Sequence, residues 1–97
     1  MPRYVSLINW TEKGVREFRD TVDRADAAAR LFSSLGGSMV DIYWTLGSYD
    51  IVTITEFPDE ESATAALLRI SELGNLRTTT LRAFGREDVR SLIGKAG

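Results

Sequence analysis

A β-hairpin predicted in the middle of the chain limits the possible folds more than any other feature of the sequence. Two apolar segments, residues 38–46 and 49–57, flank the pair Gly47-Ser48, which is typical of a two-residue turn. That turn sets six cross-strand pairs. Leu46 with Tyr49, Trp44 with Ile51 and Ile42 with Thr53 share one face, and Thr45 with Asp50, Tyr43 with Val52 and Asp41 with Ile54 share the other. Both faces of the hairpin carry apolar side chains, so neither is typical of a surface exposed to water. We therefore expect both sides of the sheet to be covered.

Strand and helix patterns alternate along the rest of the chain. A helix is predicted to start at Asp20 or Thr21 and to end at Gly36-Gly37, with an apolar stripe of Val22, Ala25, Ala28, Ala29, Phe32 and Leu35. A second helix is predicted after the capping residue Asp59. Further strands are predicted over residues 3–10 and 76–84, and residues 11–19 are expected to form a loop with one helical turn.

The resulting order, βαββαβ, is the split βαβ arrangement of the ferredoxin-like α+β fold. In this fold two helices cover one face of a four-stranded antiparallel sheet. We expect a single domain over residues 1–97, with its core in about residues 3–84 and a tail over residues 85–97. The tail is predicted to form a short helix at 86–92 and to be frayed at 94–97.

The apolar pattern assigns the two sheet faces as follows. The aliphatic set is predicted to lie under the alanine-rich helices, and it comprises Val5, Leu7, Val52, Ile54, Leu81 and Ala83. The opposite, uncovered face is predicted to carry Tyr4, Ile8, Trp10, Ile42, Trp44, Leu46, Tyr49, Ile51, Thr53, Thr55, Thr78, Thr80 and Arg82. Such a face covers roughly 400 Å², as much as the largest apolar patch a monomer normally exposes. We therefore expect a second copy to cover it, as in a dimeric α+β barrel, and a charge at Trp44 or Ile51 to split the oligomer.

Composition excludes several classes of function. The 97 residues include no cysteine and no histidine, so the chain forms no disulfide and has no thiolate nucleophile or Ser-His-Asp triad. The net charge is −2 and basic residues lie among acidic ones, which argues against nucleic-acid binding. No apolar run approaches the roughly 20 residues that cross a bilayer. We expect a cytoplasmic protein that needs no metal or cofactor.

A small amphipathic ligand is predicted to lie against the uncovered face. Aromatic rings beside a ladder of strand hydroxyls suit such a molecule, and the predicted ligand-binding residues are Trp10, Trp44, Tyr49, Thr53, Thr55, Thr78, Thr80 and Arg82. Tyr49 and Asp50 are also the candidates for catalysis by proton transfer. Packing is the simpler explanation of the Tyr49 ring, and hydrogen bonding to turn amides or to an arginine is the simpler explanation of the Asp50 carboxylate.

Three segments of the chain resemble a known family. Residues 46–52 (Leu-Gly-Ser-Tyr-Asp-Ile-Val), 58–60 (Pro-Asp-Glu) and 78–84 (Thr-Thr-Thr-Leu-Arg-Ala-Phe) are similar, in order and spacing, to the GYD domain family. These are small bacterial proteins named for a Gly, a Tyr and an Asp. The resemblance runs from about Tyr4 to Phe84. It implies a ferredoxin-like fold and brings with it no settled activity, cofactor or catalytic residue.

The sequence leaves three hypotheses for the function. The first is a homo-oligomeric domain that binds a small molecule or serves in assembly, its main partner being a second copy of the chain. The second is a cofactor-independent enzyme of the dimeric α+β barrel type, which would act on a small aromatic or hydrophobic substrate. The third is a structural unit of a ring or larger assembly, joined through strand edges.

Overall fold

The computed structural model describes all 97 residues and contains four strands and four α-helices. The strands are β1 (Arg3–Trp10), β2 (Ser38–Trp44), β3 (Ile51–Glu56) and β4 (Leu76–Ala83). The helices are α1 (Glu12–Arg16), α2 (Thr21–Ser34), α3 (Glu60–Glu72) and α4 (Arg86–Ala96), and a 3₁₀ turn at Phe18–Asp20 joins α1 to α2. One antiparallel sheet contains the strands in the order β2-β3-β1-β4. This architecture confirms the predicted α+β class and agrees with a ferredoxin-like fold.

The hairpin of β2 and β3 has the register that the sequence predicts. Four of the six predicted cross-strand pairs are present, from Asp41 with Ile54 to Trp44 with Ile51. Residues 45–50 form a loop instead of a two-residue turn, so Leu46 and Tyr49 are not paired in the ladder, and Thr45 and Asp50 share only one backbone hydrogen bond. Gly47 in this loop has a φ of 107°. That value lies in the left-handed region, which glycine adopts without steric cost. A bulge at Val40 was not predicted. Because a bulge adds one residue to its strand, it brings Met39 to the same face as Ile42.

The ends of α2 and α3 follow the predicted capping residues in part. Asp59 caps α3, since its Oδ1 accepts a hydrogen bond from the Ser62 backbone N–H at 2.7 Å. α2 is followed by Gly36, whose φ of 82° satisfies the left-handed exit. Asp20 precedes α2 but makes no capping hydrogen bond through its side chain.

A short helix, α1, stands where a loop with one helical turn was predicted. The Thr11 hydroxyl oxygen caps it by accepting a hydrogen bond from the Gly14 N–H at 3.2 Å. A Cβ atom at position 14 would clash with the backbone carbonyl oxygen of Asn75. Gly14 therefore permits close packing of α1 against the segment before β4, whereas its sequence suggested only a weak helical turn.

The structure reverses the predicted assignment of the two sheet faces. The helices α2 and α3 cover the face that carries Tyr4, Ser6 and Ile8, and these three residues are buried. The aliphatic set lies on the other side, where Leu81 is 49% exposed. Trp44 and Ile51 are on the helix side, so a charge at either would disturb the inside of the domain. The prediction that such a charge splits an oligomer through this face was wrong.

Charged residues explain why the faces are arranged in this way. Residues directly opposite one another in antiparallel strands share a face. The aliphatic face also carries Arg3, Asn9, Glu56 and Arg77 near the strand ends and Asp41 on the edge strand β2. Arg82 is the one charged strand residue on the other face. Burying four charges under helices would cost more than leaving aliphatic side chains partly exposed. The distribution of charged residues could be read from the sequence, but the prediction of the faces considered only the apolar residues.

The hydrophobic core is small and lies at one end of the sheet. It consists of Tyr4, Phe32, Phe57, Ala63 and Ala66. The Phe57 ring meets its two aromatic neighbours edge to face, with centroid distances of 6.2 Å to Tyr4 and 5.4 Å to Phe32. Only 12 of the 97 residues are buried, so this cluster fills only part of the space between the helices and the sheet.

α4 is longer than the predicted helix of the tail and continues to Ala96 through the segment expected to be frayed. Asp88 stabilises its start, since Oδ2 accepts a hydrogen bond from the Gly85 N–H at 2.8 Å. None of the residues of α4 is buried. Val89, Leu92 and Ile93 follow helical spacing, lie on one side and are 42%, 43% and 66% exposed. We call these three residues the α4 stripe.

Candidate functional site

A cavity of about 280 Å³ lies between the sheet and the helices α2 and α3. Most of its wall is apolar and includes Ile8, Leu31, Ile42, Ile51 and Ile70. The volume is near the lower end of the roughly 300–1,000 Å³ that small-molecule pockets occupy. We call this space the inner cavity.

The inner cavity has a closed end and an open end. Tyr4, Phe32 and Phe57 line the closed end and are buried. The other end is reached past Trp10, where it meets Asn75 and the exposed residues Arg69, Glu72 and Leu73 at the end of α3. From Tyr4 to Trp10 the strand β1 extends about 20 Å, so the cavity is long and narrow.

A row of hydroxyls crosses the floor of the inner cavity. Ser6 Oγ lies 2.8 Å from Thr80 Oγ1, which in turn lies 2.9 Å from Thr78 Oγ1. Thr53 and Thr55 are buried on the same face of the neighbouring strand β3. The floor is therefore polar along its centre, while the helices above it contribute mainly apolar side chains.

Two buried polar atoms beside the inner cavity have no hydrogen-bond partner: the Tyr4 hydroxyl and Asn75 Oδ1. The two residues are only 7% and 6% exposed. Burial, with a smaller contribution from the negative charge of Glu60, raises the pKa of Tyr4 above its ordinary value. The phenol therefore stays protonated at neutral pH and keeps a proton to donate.

Charged side chains at the wall of the inner cavity are paired with one another. Arg24 lies 2.6 Å from Glu17, and Arg69 lies 3.4 Å from Glu72. Each guanidinium thus has a carboxylate partner outside the cavity or at its rim. The space that remains inside is polar through hydroxyl and amide groups but carries no unpaired charge.

Half of the eight predicted ligand-binding residues line the inner cavity. Trp10, Thr53, Thr55 and Thr80 line it. Three other members contact residues that line the cavity. Thr78 hydrogen-bonds to Thr80, Trp44 Nε1 donates a hydrogen bond to Thr21 Oγ1 at 3.0 Å, and Arg82 lies 5.8 Å from the centre of the Tyr4 ring. Tyr49 does not line the cavity. Apart from Tyr49, which lies in the loop between β2 and β3, they share the face that was predicted, but helices cover that face.

Asp50, the candidate base, has a structural partner on β1. Its Oδ2 accepts a hydrogen bond from the Trp10 backbone N–H at 2.9 Å, and its own N–H donates to the Ile8 carbonyl oxygen at 2.9 Å. Neither turn amides nor an arginine is involved. Asp50 and Tyr49 both lie outside the wall of the inner cavity. The two bonds extend the pairing of the hairpin with β1.

The uncovered side of the sheet forms a second candidate surface, which we call the open face. Its centre is apolar and comprises Val5, Leu7, Tyr43, Val52, Ile54, Leu81 and Ala83. Tyr43 and Leu81 are about half exposed. Polar residues surround this centre, and among them Arg3 and Glu56 form an ion pair at 3.1 Å. An apolar centre with a polar rim is typical of protein interfaces.

Comparison with known proteins places this arrangement in a family. Residues 4–93 match the GYD domain. The chain belongs to the GYD domain family. The earlier resemblance, drawn from the hairpin, the start of α3 and β4, is thereby confirmed and extends into α4.

One curated relative of this chain is the glutamine synthetase and cystathionine beta-lyase binding protein of Thermus thermophilus. It is 28% identical over 90 residues, a match that covers 92% of this chain and 95% of the relative. The crystal structure of TTHA0845 from Thermus thermophilus is similar to the GYD domain described here with a TM-score of 0.56. At 24% identity, over 88% of this chain and 95% of that one, it supports the fold alone.

Three residues of the inner cavity were missed as site residues by sequence reasoning. Tyr4 and Ser6 lie on β1, and the residues beside them belong to β3 and β4, which are distant in the chain. Local sequence patterns therefore did not show which residues lie next to them. Asn75 lies in the turn between α3 and β4, where asparagine is common and does not by itself indicate a site.

No helix combines the length and the apolar composition that a membrane crossing requires. No three acidic side chains lie together in a group that could hold a metal ion.

Proposed function

We propose that this GYD domain is a homo-oligomeric assembly domain. Two copies pair through the open face and the α4 stripe, and the pair binds a partner protein. The observation that carries the proposal is the exposed apolar centre of the open face, in a chain whose last helix, α4, also leaves its apolar stripe uncovered.

The exposed area of the chain supports pairing. The chain exposes 6509 Å², whereas a compact monomer of 10.8 kDa exposes about 5,500 Å². The excess of about 1,000 Å² is close to the roughly 800 Å² that each partner buries in a standard protein interface. The excess exposed area of one copy is therefore about as large as the area that a second copy would bury.

The character of the open face also favours a second copy as its partner. An aliphatic sheet surface packs well against another sheet, and the two-fold symmetry of a dimer lets one such surface serve both partners. The polar rim keeps the isolated surface soluble without burying a charge at its centre. The α4 stripe adds Val89, Leu92 and Ile93 as a second apolar patch at the end of the same chain.

A role in protein binding follows from the curated relative. That relative is named for binding glutamine synthetase and cystathionine beta-lyase. We infer that this chain also holds another protein, and we test the two enzymes of its own organism as candidates by isothermal titration calorimetry. Absence of binding to both would remove this part of the proposal and leave the pairing of the chain intact.

A matched pair of substitutions tests the interface. Leu81 lies opposite Val5 in the open face, and Leu68 is exposed on α3 on the other side of the domain. We expect Leu81→Glu to lower the mass in sedimentation velocity to that of one chain, because a buried unpaired charge opposes association. Leu68→Glu should leave the mass as in the wild type. Equal masses for both variants and the wild type would refute pairing through the open face.

Catalysis through Tyr49 and Asp50 has less support. The Asp50 carboxylate already accepts the Trp10 N–H, and neither side chain reaches the inner cavity. The second pocket, which Arg82 and Phe84 line, also excludes both residues. For this reason we favour assembly over the cofactor-independent enzyme.

A further inference from the structure

We propose that the inner cavity is a binding site for an elongated, uncharged, mostly apolar molecule with a hydrogen-bonding oxygen or nitrogen near each end. This site is separate from the proposed interface, since it lies on the other side of the sheet. The proposal therefore goes beyond assembly and does not depend on it.

The polar atoms without partners define both ends of the ligand. A buried hydroxyl or amide oxygen without a hydrogen bond is costly, and native proteins nearly always satisfy such groups. The Tyr4 hydroxyl at the closed end needs an acceptor, and Asn75 Oδ1 at the open end needs a donor. One molecule lying along the cavity can satisfy both.

The wall of the inner cavity defines the middle of the ligand and its charge. Between the two ends the wall is mainly aliphatic and aromatic, with Ile8, Leu31 and Ile51 among its members. The charges at the wall are already paired, so a charged ligand would lose its hydration without gaining a partner. The cavity therefore favours a neutral molecule of narrow cross-section.

The first experiment uses N-phenyl-1-naphthylamine, an uncharged dye that fluoresces when it leaves water for an apolar site. We expect saturable binding of one dye per chain. The competitors are 1,8-octanediol and octanedioate, which have the same length but differ in charge at their ends. The diol should displace the dye at a concentration at least about tenfold below that needed for the dianion. Equal displacement by both, or no saturable dye binding, would overturn the proposal.

The variant Tyr4→Phe tests the closed end. Because the hydroxyl has no partner in the protein, its removal should leave the unfolding midpoint unchanged or raise it slightly. The same variant should bind 1,8-octanediol about tenfold more weakly, which is the loss expected for a buried hydrogen bond. Its affinity for the dye, which offers no oxygen acceptor, should stay the same. Wild-type affinity for the diol would show that Tyr4 does not contact a ligand and would refute the assignment of this end.

A second pair of variants tests whether the dye lies in the cavity. Ala28 lines the cavity from α2, whereas Ala65 is exposed on α3. We expect Ala28→Leu to reduce dye binding at least about tenfold by filling the space, and Ala65→Leu to have no effect. Dye binding that survives Ala28→Leu in a folded protein would contradict the location. If Ala28→Leu does not fold, Tyr4→Phe decides, since it removes only one unpartnered oxygen.

The variant Leu81→Glu separates the two proposals. Its substitution lies on the open face, away from the cavity, so the monomeric variant should bind the dye with wild-type affinity. Loss of pairing with retained dye binding would support both proposals. A wild-type protein that is monomeric but binds the dye would refute assembly alone, and a dimer without dye binding would refute the cavity site alone.

Discussion

Single residues of one helical stripe differ sharply in burial. Val22 and Phe32 both belong to the apolar stripe of α2, yet Phe32 is 4% exposed and Val22 is 56% exposed. Phe32 packs against Phe57 in the core, with ring centroids 5.4 Å apart. Val22 lies in the first turn of α2, where neither the sheet nor α3 covers it. Helical spacing therefore identified the correct side of α2 but not the length over which it is covered.

This difference predicts unequal costs of truncation. Phe32→Ala should lower the free energy of unfolding by about 3–5 kcal/mol, because it removes a buried ring and leaves a cavity. Val22→Ala should change it by less than about 0.5 kcal/mol, as is usual for exposed positions. Urea denaturation of both variants at one protein concentration provides the comparison. Similar losses in the two variants would mean that the first turn of α2 is as deeply buried as its end.

The site residues show how far local patterns reach. A hydrogen-bonding role for the Asp50 carboxylate was predicted from the turn, but its partner is the Trp10 N–H, 40 residues away in the sequence. Similarly, the pairing of the Ser6 and Thr80 hydroxyls depends on β1 lying beside β4. Residue type indicated the kind of contact in these cases. The partner required the topology of the sheet.

At the level of elements, the hairpin register was predictable and the sheet faces were not. A short turn fixes which residues pair, so the pairs from Asp41 to Trp44 followed directly from Gly47-Ser48. Which face the helices cover depends on the difference between two apolar surfaces. One face carries charged residues, among them Arg3 and Glu56, and burying these charges under the helices would cost more than burying the other face. The extent of α4 was also underestimated, because its weak apolar stripe ends in Gly-Lys-Ala-Gly.

The cap of α3 predicts a specific pH dependence. The backbone N–H of Ser62 holds the pKa of Asp59 below its ordinary value of 3.8 by a hydrogen bond to the carboxylate. Since the folded-state pKa is lowered, the carboxylate stabilises the fold above about pH 4, and this stabilisation is lost as the pH falls through the folded-state pKa.

The variant Asp59→Ala tests this dependence. At pH 7 it should unfold at a lower temperature than the wild type, because α3 loses its cap. The difference should shrink as the pH is lowered from 5 to 2, since the wild-type carboxylate becomes protonated over this range. Thermal unfolding followed by circular dichroism measures both proteins. A difference that stays constant over this pH range would show that charge on Asp59 contributes nothing to the cap.

At the scale of the whole molecule, shape and area both support the proposed pairing of two copies. The radius of gyration is 14.5 Å, whereas about 13 Å is typical of a compact chain of this length. The principal extents of 50 × 31 × 18 Å describe an elongated, thin body. A sheet with helices on one side only has this shape when its other side is left uncovered. These features and the open face are what a dimer would account for, as proposed above.

The most direct test of this account is the mass of the wild-type protein in solution, measured by light scattering over a range of concentrations. We predict twice the chain mass of 10.8 kDa at micromolar concentration, because the open face and the α4 stripe are then buried between two copies. A mass of 10.8 kDa at every concentration would contradict the account, since the open face would then be a surface that the protein exposes to water.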